Sequence, residues 1–128
     1  MSGWKLEHPD FDDELVRSRD QLVKALDRFI SHRQEKPFVV HLTGPPGSIA
    51  FGVGRADTFL SHTAADIKPP YRMSRGSNPP GGRVIYFQDH QWTPIASEAM
   101  ITWSVAKRAI LDYFEKGKLS SSVEWEGV

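Results

Sequence analysis

The chain of 128 residues has no cysteine, which excludes a disulfide framework and any metal site built on thiolates. It also carries no net charge, because 16 basic residues balance 16 acidic ones. A neutral protein has no overall field that would draw it to nucleic acid or to an anionic membrane. No apolar run approaches the length of a membrane span, and the N-terminus lacks the apolar core of a signal peptide. We therefore expect a cytoplasmic protein that contacts neither membrane nor nucleic acid directly.

The sequence also lacks the motifs that carry catalysis or hold a cofactor. Its five histidines are scattered, without the spacing of a metal site. Residues 44–48 lack the Gly-Lys-Ser/Thr ending of a phosphate loop, and two prolines remove amide donors there. No serine lies in a G-x-S-x-G elbow. We predict no enzyme activity, no cofactor and no metal; a metal site of His41 and His62 with Asp57 or Asp66 is the alternative.

The apolar residues that are present suffice for one folded core. Hydrophobic residues make up 39% of the chain and charged residues 25%, the proportions of a soluble globular protein. Seven Phe, four Trp and three Tyr supply the large side chains that anchor a core of this size. No internal repeat or linker divides the chain. We expect a single domain over residues 1–128.

Hydrophobic periodicity predicts a helix in the first third of the chain. We expect it to begin near Asp12 or Asp13, where carboxylates complement the helix dipole. Apolar residues then recur at helical spacing from Leu15 to Ile30, and Pro37 closes the segment. This helix would pack one apolar stripe against a sheet.

The middle third alternates strand-like runs with turns. Residues 38–43, 49–54 and 59–62 are rich in β-branched, aromatic or alternating apolar residues and predict an antiparallel meander. We predict a long loop over residues 64–82, because its part 68–82 contains four prolines and three glycines. Its basic residues leave open a nucleic-acid-binding loop as a further alternative.

The last third predicts a strand, a helix and a closing strand. Residues 83–88 have strand composition, and an amphipathic helix is expected from the N-cap Ser97 to Lys116, with Gly117 as its terminator. Residues 123–126 alternate apolar and acidic side chains, as an amphipathic strand does.

These elements together predict an α+β fold. The expected order is α-β-β-β-β-α-β, an antiparallel sheet of about five strands with two main helices on one face. The other face of the sheet would be solvated or offered to a partner.

A pattern in residues 81–126 points to a known family. Its elements are Gly81-Gly82, the strand Val84-Ile85-Tyr86-Phe87, the proline-led turn Pro94-Ile95, Ala99 and Ala106 in the helix, Phe114, Gly117, and Val123-Glu124-Trp125. This pattern resembles the C-terminal half of the immunity proteins of bacterial polymorphic toxin systems, the family usually encoded beside deaminase toxins. The chain departs from the family at Lys118-Leu119-Ser120, where members carry a basic residue and a proline.

The resemblance implies a non-catalytic protein that binds and neutralises a cognate toxin, a nucleic-acid deaminase, by covering its active site or substrate groove. A regulatory or scaffold module that binds another protein or a small ligand is the alternative. Acidic residues are expected to meet a basic groove, and aromatic or basic loop residues to anchor the contact. The candidate contact residues are Asp10, Asp12, Asp13, Tyr71, Arg72, Met73, Arg75, Glu124 and Glu126.

Overall fold

A computed structural model describes residues 3–8, 11–31, 36–68, 71–88 and 91–127 of the chain. Within these ranges the fold is built mainly of strands, and nine of them form one sheet. The bounds of the elements are β1 Trp4–His8, β2 Phe11–Val16, α1 Arg19–Ser31, β3 Phe38–Gly44, β4 Gly47–Val53, β5 Asp57–Thr58, β6 Leu60–Ala64, β7 Arg72–Arg75, β8 Arg83–Gln88, β9 Gln91–Ala96, β10 Ile101–Thr102, α2 Trp103–Lys116 and β11 Glu124–Gly127.

The sheet runs in the order β11-β7-β6-β4-β3-β1-β2. All of these neighbouring strands pair in antiparallel fashion, which confirms the predicted meander of β3, β4 and β6. Strand β8 adds a short parallel contact to the start of β3 and forms a hairpin with β9. Strands β5 and β10 make a separate two-stranded ribbon.

The predicted fold class was wrong in its strand number and in its element order. Three segments assigned to helix, loop or turn are strands instead, so the described part of the chain has nine strands in the main sheet rather than about five. In each segment, pairing with neighbouring strands overrides the preference of the local sequence for helix, loop or turn. Secondary-structure propensity alone therefore predicts such segments poorly.

The first correction concerns the N-terminal third. Residues 4–8 and 11–16 form the antiparallel strand pair β1–β2, and the helix expected near Asp12 begins at Arg19. Its start carries a capping signal, because the Ser18 hydroxyl accepts a hydrogen bond from the Gln21 amide at 3.1 Å. The Gln21 side chain in turn accepts one from the Arg17 amide at 2.8 Å. This Ser-x-x-Gln pattern is visible in the sequence and marks the true helix start.

The other corrections concern the predicted loop and the second helix. The loop over residues 64–82 contains β7, which is held between β6 and β11. Pro94 lies within β9 rather than in a turn. The second helix begins at Trp103, because Ser97–Ala99 form a short 3₁₀ turn that leads into β10. Its predicted end is confirmed, with Gly117 in the left-handed conformation at φ 68°.

The main core lies between the helices and one face of the sheet. Side chains of β1, β3, β4 and β6 meet the buried faces of α1 and α2 there. Phe51 of β4 is fully buried at the centre, where its ring lies 5.9 Å from Phe29 of α1 and 6.1 Å from Trp103 of α2. This aromatic cluster joins both helices to the middle of the sheet.

A second, smaller core lies on the opposite face, beneath the β8–β9 hairpin. Tyr86 of β8 is fully buried and packs edge-on against Phe59 at 5.1 Å. Its ring lies directly over Gly52, where an added Cβ would come within 2.2 Å of a ring carbon. Glycine at this position therefore lets the hairpin sit close to the sheet.

Two buried tyrosines should respond in opposite directions to the same substitution. The Tyr86 hydroxyl is buried with no hydrogen-bond partner among the described residues, whereas the Tyr113 hydroxyl bonds His62 Nε2 at 3.1 Å. An unsatisfied buried hydroxyl costs about 1–3 kcal/mol, and a made hydrogen bond contributes about 0.5–1.5 kcal/mol. We expect Tyr86→Phe to raise the free energy of unfolding by about 1 kcal/mol and Tyr113→Phe to lower it by a similar amount. Urea titration at pH 7 measures both, and a loss in Tyr86→Phe would contradict the prediction.

Candidate functional site

The sheet face opposite the helices is only half covered by the β8–β9 hairpin. The uncovered half, here called the open face, consists of two rows of side chains that cross the sheet. One row is Glu7, His41, Ala50, Ser61, Met73 and Glu126, each opposite the next on the neighbouring strand. Within this row Ala50 is buried in the core beneath the hairpin, and Met73 packs against that core. The other row is Leu15, Lys5, Thr43, Ser48 and Thr63. Most of these side chains are polar, which suits a surface that is solvated or docked by a partner.

A groove of about 280 Å³ separates the open face from the hairpin. Hydroxyl groups of Ser48, Ser61 and Thr63 lie along its floor, and Gln88 and Ile95 of the hairpin form its wall. Gln88 Nε2 lies 3.2 Å from His41 Nε2, so this pair ties the hairpin to the sheet. The residues that line the groove offer hydrogen-bond donors and acceptors, and they include no carboxylate, ammonium or guanidinium group.

Strands β7 and β11 carry charged residues at one edge of the open face. Arg75 lies opposite Glu124 and donates a hydrogen bond to the Glu126 carboxylate at 2.6 Å. This hydrogen bond raises the pKa of the Arg75 guanidinium. Met73 lies opposite Glu126 on the same face. Two carboxylates and one guanidinium leave this edge with a net charge of −1.

A second charged group lies at the opposite edge of the same face. Lys5 of β1 lies 3.9 Å from Glu7 and 3.6 Å from Asp13 of β2, measured between Nζ and carboxylate oxygens. This edge also has two carboxylates for one cation. Six inter-strand spacings of about 4.8 Å separate β2 from β11, so the two acidic edges are roughly 29 Å apart. The open face therefore has a polar, neutral centre between two negative edges.

The family of the chain follows from a comparison with known protein families. The family model described as Immunity protein Imm1 matches residues 11–127, which is nearly the whole chain. The chain belongs to the Imm1 immunity protein family. A comparison with curated proteins yields no match. The resemblance seen in the last third of the sequence is thus confirmed at the level of the immunity protein family.

The Imm1 protein brings only part of the predicted contact residues together. Met73, Arg75, Glu124 and Glu126 form one edge of the open face, as described above. The sequence pattern offered a signal for the last two, since Glu124 and Glu126 alternate with apolar residues. Asp13 lies at the far edge of the same face, beyond the reach of that group.

The remaining predicted residues lie elsewhere. Asp12 is exposed on β2, and Asp10 lies outside the described residues. Tyr71 donates a hydrogen bond from its hydroxyl to the Ile67 carbonyl at 3.1 Å. Arg72 lies opposite His62, in the row of side chains that faces the helices. Burial, followed by the charge of Arg72, lowers the pKa of His62.

The structure of this Imm1 protein separates the histidines of the alternative metal site. His41 lies on the open face, whereas His62 points to the helix side and bonds Tyr113. Among the described residues no group of three or more His, Asp or Glu side chains has the arrangement of a metal site. In those same ranges, no helix is long and apolar enough to cross a membrane.

Sequence reasoning missed Lys5 and Glu7 as surface residues of the open face. Their signal is the alternation in residues 4–8, where Trp4 and Leu6 are buried and the intervening side chains are not. That alternation was hidden because the acidic cluster that follows resembles a helix start.

Proposed function

We propose that this Imm1 protein acts as a single non-catalytic domain that neutralises a cognate toxin in the cytoplasm, without contacting membrane or nucleic acid. The observation that carries the proposal is the family match over residues 11–127. The toxin we propose is a nucleic-acid deaminase, the class that the resemblance in residues 81–126 implies. Binding would cover the toxin's active site or the groove that leads to it.

The open face is the surface we propose for this contact. A deaminase admits an extruded base to a zinc-containing pocket, and the strand that carries the base is a polyanion. Its substrate groove is therefore expected to be basic. The two edges of the open face, each with a net charge of −1, complement such a groove and would speed association. Asp13, Met73, Arg75, Glu124 and Glu126 are the predicted contact residues that lie on this face.

Co-expression with the protein encoded immediately upstream tests the function. We expect the upstream protein alone to kill the host and this Imm1 protein to restore growth and co-purify with it in a fixed ratio. The activity of the purified toxin on cytosine and adenine bases then tests the deaminase assignment. A harmless neighbour, or a neighbour that still kills when this protein is folded and present, would favour the alternative of a regulatory binding module.

Neutralising the β11 edge should slow association with the toxin. We expect Glu124→Gln with Glu126→Gln to lower the association rate constant on the order of tenfold at low salt, because steering by opposite charge is lost. The matched control is Asp20→Asn with Glu115→Gln, which changes the net charge equally on the helix side. Stopped-flow association at low and high salt measures both. Equal slowing in the two variants would mean that only net charge matters, and no slowing would exclude this edge.

A further inference from the structure

The outer surface of the β8–β9 hairpin is apolar although it faces solvent. Residues alternate along both strands, so the side chains of Tyr86 and Ile95 pack against the sheet. The intervening side chains point away from the sheet. They form what we call the apolar ridge, which consists of Ile85, Phe87, Trp92 and Pro94.

The apolar ridge is continuous rather than a set of isolated residues. Ile85 lies opposite Pro94, and Phe87 lies opposite Trp92. The rings of Phe87 and Trp92 meet edge-on with centroids 5.4 Å apart. Ile85 is nevertheless 44% exposed and Trp92 is 52% exposed. Single exposed apolar residues are ordinary, but adjacent ones that include tryptophan are typical of interaction sites.

Hairpin stability alone does not account for the apolar ridge. The Phe87–Trp92 pair does stabilise the two strands against each other, as aromatic cross-strand pairs do. That contact still leaves half of Trp92 in water, and it gives no reason for Ile85 and Pro94. The inner face of the hairpin already supplies the apolar packing that holds it to the sheet.

The apolar ridge is held rigidly, which favours tight binding. Tyr86 locks the hairpin against Gly52, and Gln88 ties its end to His41. The Phe87 amide donates a hydrogen bond to the Pro37 carbonyl at 2.7 Å. A rigid surface loses little conformational entropy when a partner binds.

The occupant of the apolar ridge is neither an added strand nor a second copy of this chain. Pro94 has no amide hydrogen to offer a pairing strand at the outer edge of β9, and proline in this position is typical of edges that do not pair. The four side chains also cover far less than the roughly 800 Å² per partner that a stable dimer needs. The apolar ridge instead fits one part of a larger interface.

That larger interface is supplied by the open face. The hairpin forms the wall of the groove, so the apolar ridge and the open face adjoin each other. The two surfaces would have different roles in one interface. The aromatic residues of the apolar ridge would hold the complex together, and the charges at the edges of the open face would steer its formation. The partner must then combine basic residues with an apolar pocket.

We propose that the apolar ridge is the anchor of the toxin complex, with the Trp92 indole inserted in an apolar pocket of the toxin. This inference rests on the proposed toxin-binding function. It names the contact that determines the lifetime of the toxin complex. The acidic edges set the association rate, whereas Trp92 sets the dissociation rate.

Substitutions in the apolar ridge test the proposal in the purified complex with the upstream-encoded toxin, made catalytically inactive by mutation. Trp92→Ala should raise the dissociation constant about 30-fold or more, mostly through faster dissociation. Ile85→Ala should raise it several-fold. The matched control is Ile67→Ala, which truncates an isoleucine that is 70% exposed and lies away from the hairpin. This substitution should change the dissociation constant less than twofold.

The outcomes separate this inference from the function on which it rests. If the wild-type protein binds no toxin, the proposed function fails. If wild type binds and Trp92→Ala binds equally well with unchanged circular dichroism, the anchor is overturned. Trp92→Phe keeps an aromatic side chain and should retain part of the affinity for the toxin even if Trp92→Ala folds poorly. An equal loss of affinity in the two variants would overturn the claim that an aromatic ring fills an apolar pocket of the toxin. A different result is that light scattering shows the wild-type protein to be a dimer and Trp92→Ala to be a monomer. That result would assign the apolar ridge to self-association and would also overturn its role as the toxin anchor.

Discussion

We expect Phe51→Ala to lower the free energy of unfolding by about 3–5 kcal/mol, a large share of the 5–15 kcal/mol typical of a domain. Phe51 is fully buried and its ring touches those of Phe29 and Trp103, so truncation leaves a cavity between β4 and both helices. Urea titration followed by circular dichroism measures the loss. Because the Trp103 indole loses its neighbour, its fluorescence in the folded state should change as well.

The control for this substitution is Leu15→Ala on β2. Leu15 is 55% exposed, so its truncation removes little buried surface and should change the free energy of unfolding by less than about 0.5 kcal/mol. A loss below about 1 kcal/mol for Phe51→Ala would mean that the helices do not pack on β4 as described.

The second large effect is a loss of stability above pH 10. Burial raises the pKa of Tyr113 from 10.0 to about 12, and burial raises the pKa of Tyr86 further. As the pH rises above 10, the unfolded chain releases these phenol protons while the folded protein retains them. The free energy of unfolding then falls by about 1.4 kcal/mol per pH unit for each tyrosine. Tyr113 alone accounts for about 2 kcal/mol by pH 12.

Phenylalanine variants isolate the contribution of each phenol. Tyr86→Phe and Tyr113→Phe should each reduce the slope of stability against pH by about 1.4 kcal/mol per unit between pH 10 and the folded pKa. Urea titrations at intervals of half a pH unit measure this slope. Curves for both variants parallel to that of wild type would show that these tyrosines ionise equally in the folded and unfolded states.

The sequence predicted the central and C-terminal elements better than the N-terminal third. Strands β3 and β4 were found because runs of apolar and β-branched residues there are long and bounded by turns. The hairpin β1–β2 was missed because Asp12 and Asp13 look like the start of a helix until their strand is seen to pair with β1. Strand β7 was missed because its four residues stand in a segment rich in proline and glycine.

The contact residues show a similar division. The shared side of Glu124 and Glu126 could be predicted, because strand alternation places both on one side of β11; their contact with a toxin stays a prediction. Arg72 was grouped with Met73 from their closeness in sequence, yet successive strand residues point to opposite faces, so they lie on different sides of the sheet. The apolar ridge was not predicted, since its members read as ordinary strand residues before the hairpin is seen to bury its other face.

The sequence by itself determined the family, the meander at the centre of the sheet and the end of the second helix, because these depend on local patterns and on glycine geometry. The tertiary structure alone decided the number of strands, the open face with its two acidic edges and the outward direction of Trp92. Each of these depends on pairing between segments far apart in the chain. Local composition cannot specify such pairing, because the same residues satisfy helix, loop or strand until a partner strand supplies the hydrogen bonds.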